Sequence, residues 1–394
     1  MLCSRLPLLN NLIQYKGTMQ LKLIVLLLMA SPKIIFTVTN ELIYDQRMIR
    51  ICRSLANAGY RILLVGRKVK GAVSLKEEVF EQKRLSVFFN KGKFFYIEYN
   101  LRLFFFLLFN KATVIGAIDL DTILPVLFAS KIKECKRVYD AHELFCEMKE
   151  VVSRPQIYRF WKRVERFAVP KFKEGYTVNQ LIANEFTKMY GVNYNVIRSI
   201  ALLREANTDA APVEKYILYQ GAVNEGRCFE FLIPAMQWVD LSLIICGEGN
   251  FFNETKALVE KYKLSNKVIF KGKLLPDDLR KVTANAFLGI TLFDEKGLSN
   301  YYSLANRFFD YLHAGVPQLC SDYPAYREIN NLYSIGVLTS NYEPKHLASI
   351  INNLLNDETL YQQLKTGCYK ARQVYNWQQE EEKLLSFYKK IIPL

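Results

Sequence analysis

Short apolar runs alternate with amphipathic stretches of helix length along this chain, and the alternation begins twice. Ile34–Thr39 reads as a strand, Met48–Ala58 as a helix closed by Gly59, and Arg61–Val65 as the next strand. Val114–Ala117, Arg137–Asp140 and Glu174–Val178 continue the series. Ala206–Val213, rich in Ala, Asn, Asp and Pro, breaks the periodicity. The series then restarts with strands at Tyr216–Gln220, Ser242–Cys246, Val268–Lys271, Leu288–Leu292 and Pro317–Ser321. Helical patterns at Cys228–Gln237, Glu254–Tyr262, Asp277–Ala284, Ala305–Ala314 and Pro344–Asn356 separate them. Strands joined through helices imply parallel sheets with helices on both faces.

The expected organisation is therefore two doubly wound α/β domains, residues 31–205 and 214–374, joined by a linker at 206–213. Domains of this class bind ligands outside the carboxyl ends of their strands, which predicts a cleft between the two. Residues 1–30 read as an N-terminal extension. Met19–Ala30 has the outline of a signal-peptide start, with Lys22 before an apolar stretch, yet the strand near Lys33 follows without a spacer. The longest apolar runs, Leu23–Ala30 and Leu103–Phe109, fall well short of the ~20 residues that span a bilayer.

Composition sharpens the partner question. The chain is 51% hydrophobic and 23% charged, which excludes a disordered or fibrous protein. Its formal charge of +15 is unevenly placed: 33 basic and 18 acidic residues precede Pro212, against 20 of each from Val213 onward. A basic half favours an anionic partner such as nucleic acid, a membrane surface or a phosphorylated substrate. The eight Cys form no CxxC pair and there are three His, so neither a zinc site nor a disulfide framework is expected, and reduced thiols in a cytoplasmic protein fit best.

Three clusters carry chemistry. Tyr139-Asp140-Ala141-His142-Glu143 ends an apolar strand, where polar side chains of an open α/β sheet face the ligand, and His titrates near neutrality. His142 could equally cap the next helix or satisfy a buried carbonyl. Gln220 through Arg227 runs from a strand into a helix, with Gly221 and Gly226 allowing close backbone approach to a phosphate and Arg227 adding positive charge. A structural tight turn is the alternative. Gly247-Glu248-Gly249 repeats the arrangement after the next strand. The third cluster, Asn300 through Pro317, puts Ser303 and Asn306 at a helix start, where anions bind, and Asp310 about two turns on, where it can accept from sugar hydroxyls. A charged helix face with an ordinary Gly–Pro stop is the bland reading.

In this order, the clusters resemble retaining nucleotide-sugar glycosyltransferases of the GT-B fold, family 4 (glycosyl transferases group 1) in particular, over nearly the whole chain from about Lys33. Asp45-x-Arg47 and Ala58-Gly59-Tyr60 are similar to the family's opening, and Asp119-Leu120-Asp121-Thr122 with Tyr139 through Phe145 to its acceptor side. Tyr219-Gln220-Gly221 through Arg227, Gly247-Glu248-Gly249 and Val268-x-Phe270-x-Gly272 are similar to its donor domain. Ser303 through Tyr311 with Gly315-x-Pro317 resembles its best-marked helix, and Tyr375-Asn376-Trp377 with Leu384-Leu385-x-x-Tyr388 its last helix, here residues 375–394, which crosses back onto the first domain.

The resemblance implies roles. Arg227 would neutralise the donor pyrophosphate, with backbone amides near Gly221 and the helix start at Ser303–Asn306. Asp310 would hold the ribose, Lys271–Leu274, including Gly272, would border the base, and Glu248 would belong to the donor side. His142 would orient the transferred sugar and stabilise developing charge. Asp45 and Arg47 would line the first-domain side, with Asp119, Asp121 and Glu143 toward the acceptor. No metal or other cofactor is expected beyond the nucleotide-sugar co-substrate. The sequence departs from the family at two places: the first Glu of the Glu-x7-Glu pair falls at Tyr302 and the second is shortened to Asp310, while the expected Asn-Pro reads Ser199-Ile200-Ala201.

The resemblance thus predicts transfer of a sugar from a UDP- or GDP-sugar, with retention, onto a cell-surface polysaccharide or lipid-linked glycan. A UDP-sugar 2-epimerase-like enzyme of the same fold and a degenerate, non-catalytic binder are the alternatives. In the basic half, Lys83, Arg84, Lys91, Lys93 and Arg102 interleave with Phe88, Phe89, Phe94, Phe95 and Phe104–Phe106. Arg154, Arg159, Lys162, Arg163 and Arg166 accompany Tyr158, Phe160 and Trp161. Cations beside aromatics suit an anionic membrane surface, which predicts a cytoplasmic protein peripheral on the inner face of the membrane. No nucleic-acid-binding module is present, so nucleic acid is not an expected partner.

Overall fold

The computed structural model describes residues 31–69, 71–204, 215–294 and 297–393. The expected extension at 1–30 and linker at 206–213 lie outside the described residues. Thirteen strands among them form two parallel sheets, in keeping with the GT-B fold expected from the sequence. The first contains β1 (Lys33–Thr37), β2 (Arg61–Arg67), β3 (Glu81–Leu85), β4 (Val114–Ile118), β5 (Lys136–Ala141), β6 (Glu174–Thr177) and β7 (Asn195–Val196), in the order β3-β2-β1-β4-β5-β6-β7. The second contains β8 (Tyr216–Gln220), β9 (Ser242–Cys246), β10 (Val268–Gly272), β11 (Leu288–Thr291), β12 (Gln318–Ser321) and β13 (Gly336–Thr339), in the order β10-β9-β8-β11-β12-β13. By internal contacts the chain divides into two compact units. The first takes the described residues up to Ala117, Pro125–Val138 and those from Leu384; the second takes Ile118–Leu124 and the described residues of Tyr139–Lys383.

In the first unit, β1 and the middle of β2 are apolar and fully buried, as strands covered on both faces must be. Helix Gln46–Asn57 begins where the Asp45 carboxylate accepts the Met48 N–H (3.1 Å) and packs Met48, Ile51, Cys52 and Leu55 inward. Gly59, at φ 100°, turns the chain into β2. The last helix, Trp377–Ile391, is divided between the units at Lys383/Leu384. Within the first unit its end is anchored by Tyr388 edge-on to Phe36 (6.1 Å) and by Tyr60 Oη donating to the Ile392 carbonyl (3.1 Å).

Helix Gly92–Phe109 is apolar on two sides. Phe95, Tyr99, Leu103 and Leu107 are buried, while Phe94, Ile97, Leu101, Phe105 and Phe109 are exposed. Phe88 and Phe89 just before it are exposed as well, beside exposed Lys91 and Lys93. Lys133 Nζ donates to the Leu107 carbonyl (2.9 Å) and so caps the helix end. In the second unit, helix Pro155–Ala168 exposes Phe160, Phe167, Arg159, Arg163 and Arg166. Lys162 corrects the expectation that it belongs to the surface cations: it is buried and bound to Glu147 (3.0 Å) and Glu165 (2.8 Å). No described helix is long and apolar enough to cross a membrane.

Around β8 and β9 the second unit is packed backbone against backbone. Gly247, at φ 149°, would put a Cβ 1.8 Å from the Gly221 carbonyl oxygen, and Gly249 one 2.3 Å from the Val223 oxygen. Only glycine permits that approach, which brings the loops after the two strands side by side.

Candidate active site

The second unit gathers the polar residues that follow its strands. At the end of β5 the His142 ring is held at both nitrogens: Nδ1 lies 3.3 Å from Asp119 Oδ2 and Nε2 3.2 Å from Asp140 Oδ2. The His142 backbone N–H also donates to Asp119 Oδ1 (2.8 Å), and the Asp119 N–H donates to the Asp140 carbonyl (2.9 Å). Asp119 adopts φ 55°, a left-handed conformation that a side chain occupies only where its surroundings fix it. Asp140 is fully buried. A carboxylate oxygen facing each ring nitrogen fixes the orientation of the imidazole.

Glu143 follows immediately. Loss of surrounding water, then the nearby Asp119 and Glu150 charges, raise its carboxyl to about 8, with Arg227 and His142 opposing the rise. Glu143 is half-buried.

The loops after β8 and β9 pair through their own backbones. The Gly221 N–H donates to Cys246 O (2.9 Å), Val223 to Glu248 O (3.1 Å) and Phe251 to Val223 O (2.9 Å). Asn224 Oδ1 accepts from Asn250 N (3.1 Å), and Asn250 Oδ1 from Glu225 N (2.9 Å). These glycines make the turn tight, and the Gly221 amide is engaged within it. Gly226, at φ 83°, faces three polar side chains: a Cβ there would lie 3.1 Å from Asp294 Oδ1, 3.2 Å from Lys149 Cδ and 3.3 Å from Asn300 Nδ2. Lys149 bridges Asp294 (2.7 Å) and Glu225 (3.1 Å). The Arg227 guanidinium donates to Asn300 Oδ1 (3.0 Å) and sits over the Phe293 ring at 4.5 Å. Asp294 Oδ1 and Asn300 Nδ2 are buried without a hydrogen-bond partner.

Helix Asn306–Ala314 begins one residue later than expected, with Asn306 exposed at its first position. Ser303 lies before it in the loop, its hydroxyl 3.1 Å from Tyr326 Oη. Arg307 is buried and donates through Nη1 to Tyr219 Oη (3.2 Å) and the Gln220 carbonyl (3.3 Å). Asp310 accepts from Gln220 Nε2 (2.9 Å), whose Oε1 accepts from Thr283 (2.6 Å), so the carboxylate is aimed from β8. Tyr302, where the family resemblance puts a carboxylate, accepts through its carbonyl from Asn179 Nδ2 (2.7 Å).

The other expected residues are carried by other elements. Asp45 and Arg47 belong to the first unit, where Asp45 caps a helix and also accepts from Asn40 (3.3 Å), and Arg47 is buried. Asp121 lies in the short turn Leu120–Thr122. Glu248 is exposed, and Gly272, at φ 62°, closes β10. The sequence reading missed Asp140 as a partner of His142, and Gln220, Asn300 and Arg307 as site residues. Each is a polar side chain whose burial comes from tertiary packing, which no local spacing announces.

Residues 205–371 match the family model described as glycosyl transferases group 1. No curated protein matches the chain. Among solved structures, sucrose-phosphate synthase from Thermosynechococcus elongatus superposes with a TM-score of 0.74 at 15% identity, covering 91% of this chain and 99% of that one. Anabaena HepE, solved with UDP and glucose, gives 0.70 at 14% identity, covering 91% and 100%. WaaG, a glycosyltransferase involved in lipopolysaccharide biosynthesis, gives 0.66 at 15%, covering 89% and 98%. The chain therefore has the GT-B fold and carries, across residues 205–371, a domain of the glycosyl transferases group 1 family.

Proposed function

We propose that this protein is a retaining glycosyltransferase of family 4 type, moving a sugar from a UDP- or GDP-sugar to a cell-surface or lipid-linked glycan acceptor without a metal. The observation that supports this reading is the group 1 match over residues 205–371, the stretch that contains Arg227, Asp310 and the glycine loops to which the sequence resemblance gives donor roles. HepE was solved with UDP and glucose, a donor chemistry that suits the same positions here. Arg227 neutralises the leaving diphosphate, the main electrostatic task of such a reaction. Asp310, aimed by Gln220, holds the ribose, and the His142 ring, gripped by Asp119 and Asp140, orients the transferred sugar.

The acceptor side is read from the surface. Helix Gly92–Phe109 turns five large apolar side chains outward next to Lys91 and Lys93, which suits docking on an anionic membrane. This makes the protein peripheral at the inner face of the membrane, where lipid-linked acceptors are carried.

A thermal-shift screen with UDP-, GDP- and ADP-sugars tests the donor, followed by product analysis with the best hit. A stabilising UDP- or GDP-sugar and an acceptor-dependent product of unchanged anomeric configuration are expected. Turnover of donor without acceptor would instead indicate an epimerase, and no stabilisation by any of the donors would overturn the reading.

A further inference from the structure

Among the described residues, Arg307 is a buried cation with no carboxylate in an ion pair to it. It is 7% exposed, and it contacts only uncharged oxygens, Tyr219 Oη and the Gln220 carbonyl, both through Nη1. The rings of Tyr219 and Phe293 lie 4.7 Å from its Cζ. Nε and Nη2 are buried and have no acceptor. Among the described residues no carboxylate pairs with it, although an uncompensated buried charge is costly and is normally matched by an opposite one.

The open edge has a recognisable shape. Nε and Nη2 are the pair with which Arg53 of this same chain grips both oxygens of Glu78, each at 2.6 Å. In Arg307 that fork is formed, buried and empty of protein oxygens. A fork of this kind fits an anion presenting two oxygens, a carboxylate or a phosphoryl group.

Three further features favour phosphoryl. Arg227 sits over the same Phe293 ring, at 4.5 Å, and donates to Asn300 Oδ1, with the Glu143 carboxyl as the acid its charge reaches. Two like charges are thus held on one ring from two different elements. Arg307 is the second residue of the nine-residue helix Asn306–Ala314, whose N-terminus adds positive potential. Gly221, at φ 115°, has Arg307 Nη1 as the described neighbour its Cβ would meet, at 3.2 Å, so the absent side chain leaves space beside the guanidinium.

We infer that Arg307 is the second cationic anchor for the diphosphate of the donor, beside Arg227, its Nε–Nη2 fork taking two phosphoryl oxygens. The inference rests on the nucleotide-sugar reading above, and it adds a specific consequence. Arg307 sets the preference for a nucleoside diphosphate over the corresponding monophosphate, whereas Asp310 serves the ribose that both share.

The test is calorimetric titration of UDP, UMP, GDP and GMP into the wild-type protein and into Arg307→Gln and Arg307→Lys, with melting temperature as the control for folding. Wild type is expected to prefer the diphosphate of one base. Arg307→Gln should weaken that diphosphate about 10- to 100-fold, the scale of a charge-assisted hydrogen-bond pair, and leave the monophosphate within about 3-fold. Arg307→Lys keeps the charge, loses the fork, and should fall between the two; it carries the test alone if the Gln variant does not fold. An unchanged diphosphate-to-monophosphate ratio in a folded variant would overturn the assignment. Wild type that binds none of the four nucleotides would instead overturn the donor reading itself.

Discussion

Glu143 holds a carboxyl near 8 between the His142 cluster and Arg227, so its protonation bears on stability in an unusual direction. A carboxyl raised in the folded state binds its proton more tightly there than in the unfolded chain. It therefore contributes stability below the unfolded value near 4.5, and this is lost as pH rises toward 8. Glu143→Gln should melt higher than wild type at pH 8.5 and show little difference at pH 5. Equal melting-temperature shifts at the two pH values would show that the carboxyl is not raised. His142 poses a different question, because Asp119 and Asp140 engage both its nitrogens. Asp140→Asn removes the buried charge at Nε2 but keeps the side chain's shape. Transfer should fall by about 10- to 1000-fold, in the range of lost electrostatic preorganisation. Nucleotide affinity, measured by titration, should stay within about 3-fold, since the residues proposed to hold the diphosphate lie on other elements. A loss confined to nucleotide affinity would remove His142 and its carboxylates from the sugar-positioning role.

Elements were readable in proportion to how locally their physics is written. β8 and β9 match the apolar runs residue for residue, because strands buried on both faces are continuous hydrophobic segments. β3, with the sequence Glu-Gln-Lys-Arg-Leu, was not readable: it is an edge strand whose Glu81 and Lys83 face water, and its partner β2 decides its conformation. Helix Glu358–Val374 was missed for a related reason, since Gly367 interrupts its pattern and is needed there; a Cβ would lie 2.1 Å from the Tyr333 carbonyl oxygen. The site divides in the same way. His142 announces itself as a rare residue at a strand end, whereas Arg307 acquires its meaning from Tyr219 and Phe293, far off in sequence. Two predictions belong at this scale. Gly247→Ala forces a Cβ into the Gly221 carbonyl at a disfavoured φ and should destabilise the fold by at least about 2 kcal/mol, read by chemical denaturation. An unchanged midpoint would mean that the two loops are not pressed together. Leu101→Glu with Phe105→Glu, both on the exposed face of Gly92–Phe109, should lower binding to anionic vesicles about 10-fold or more while leaving the melting temperature in place. Unaltered vesicle binding would transfer the docking role to another surface.

At the scale of the whole molecule, the charge surplus and the proposed donor chemistry belong to different halves of the chain. Residues before Pro212 carry 33 basic and 18 acidic side chains, whereas those from Val213, which supply Arg227, Arg307 and Asp310, are balanced at 20 and 20. Some of the surplus is neutralised internally, as at Lys162 with Glu147 and Glu165, or Arg84 with Glu41. Much of the rest is exposed, including Lys91, Lys93, Arg159, Arg163 and Arg166. Exposed charges act on a membrane across water and are screened over about 10 Å at 0.1 M salt, while a buried guanidinium meeting a phosphoryl group at contact is screened far less. The two binding events should therefore separate on a salt axis. Raising NaCl from about 50 to about 500 mM should release most of the protein from vesicles containing anionic lipid, read by co-sedimentation, and change nucleoside-diphosphate affinity by less than about 5-fold, read by calorimetry. If both fell in parallel, the surplus would have to be acting as a long-range attractor for the donor. If neither fell, the exposed aromatic side chains would be holding the membrane without help from the charge.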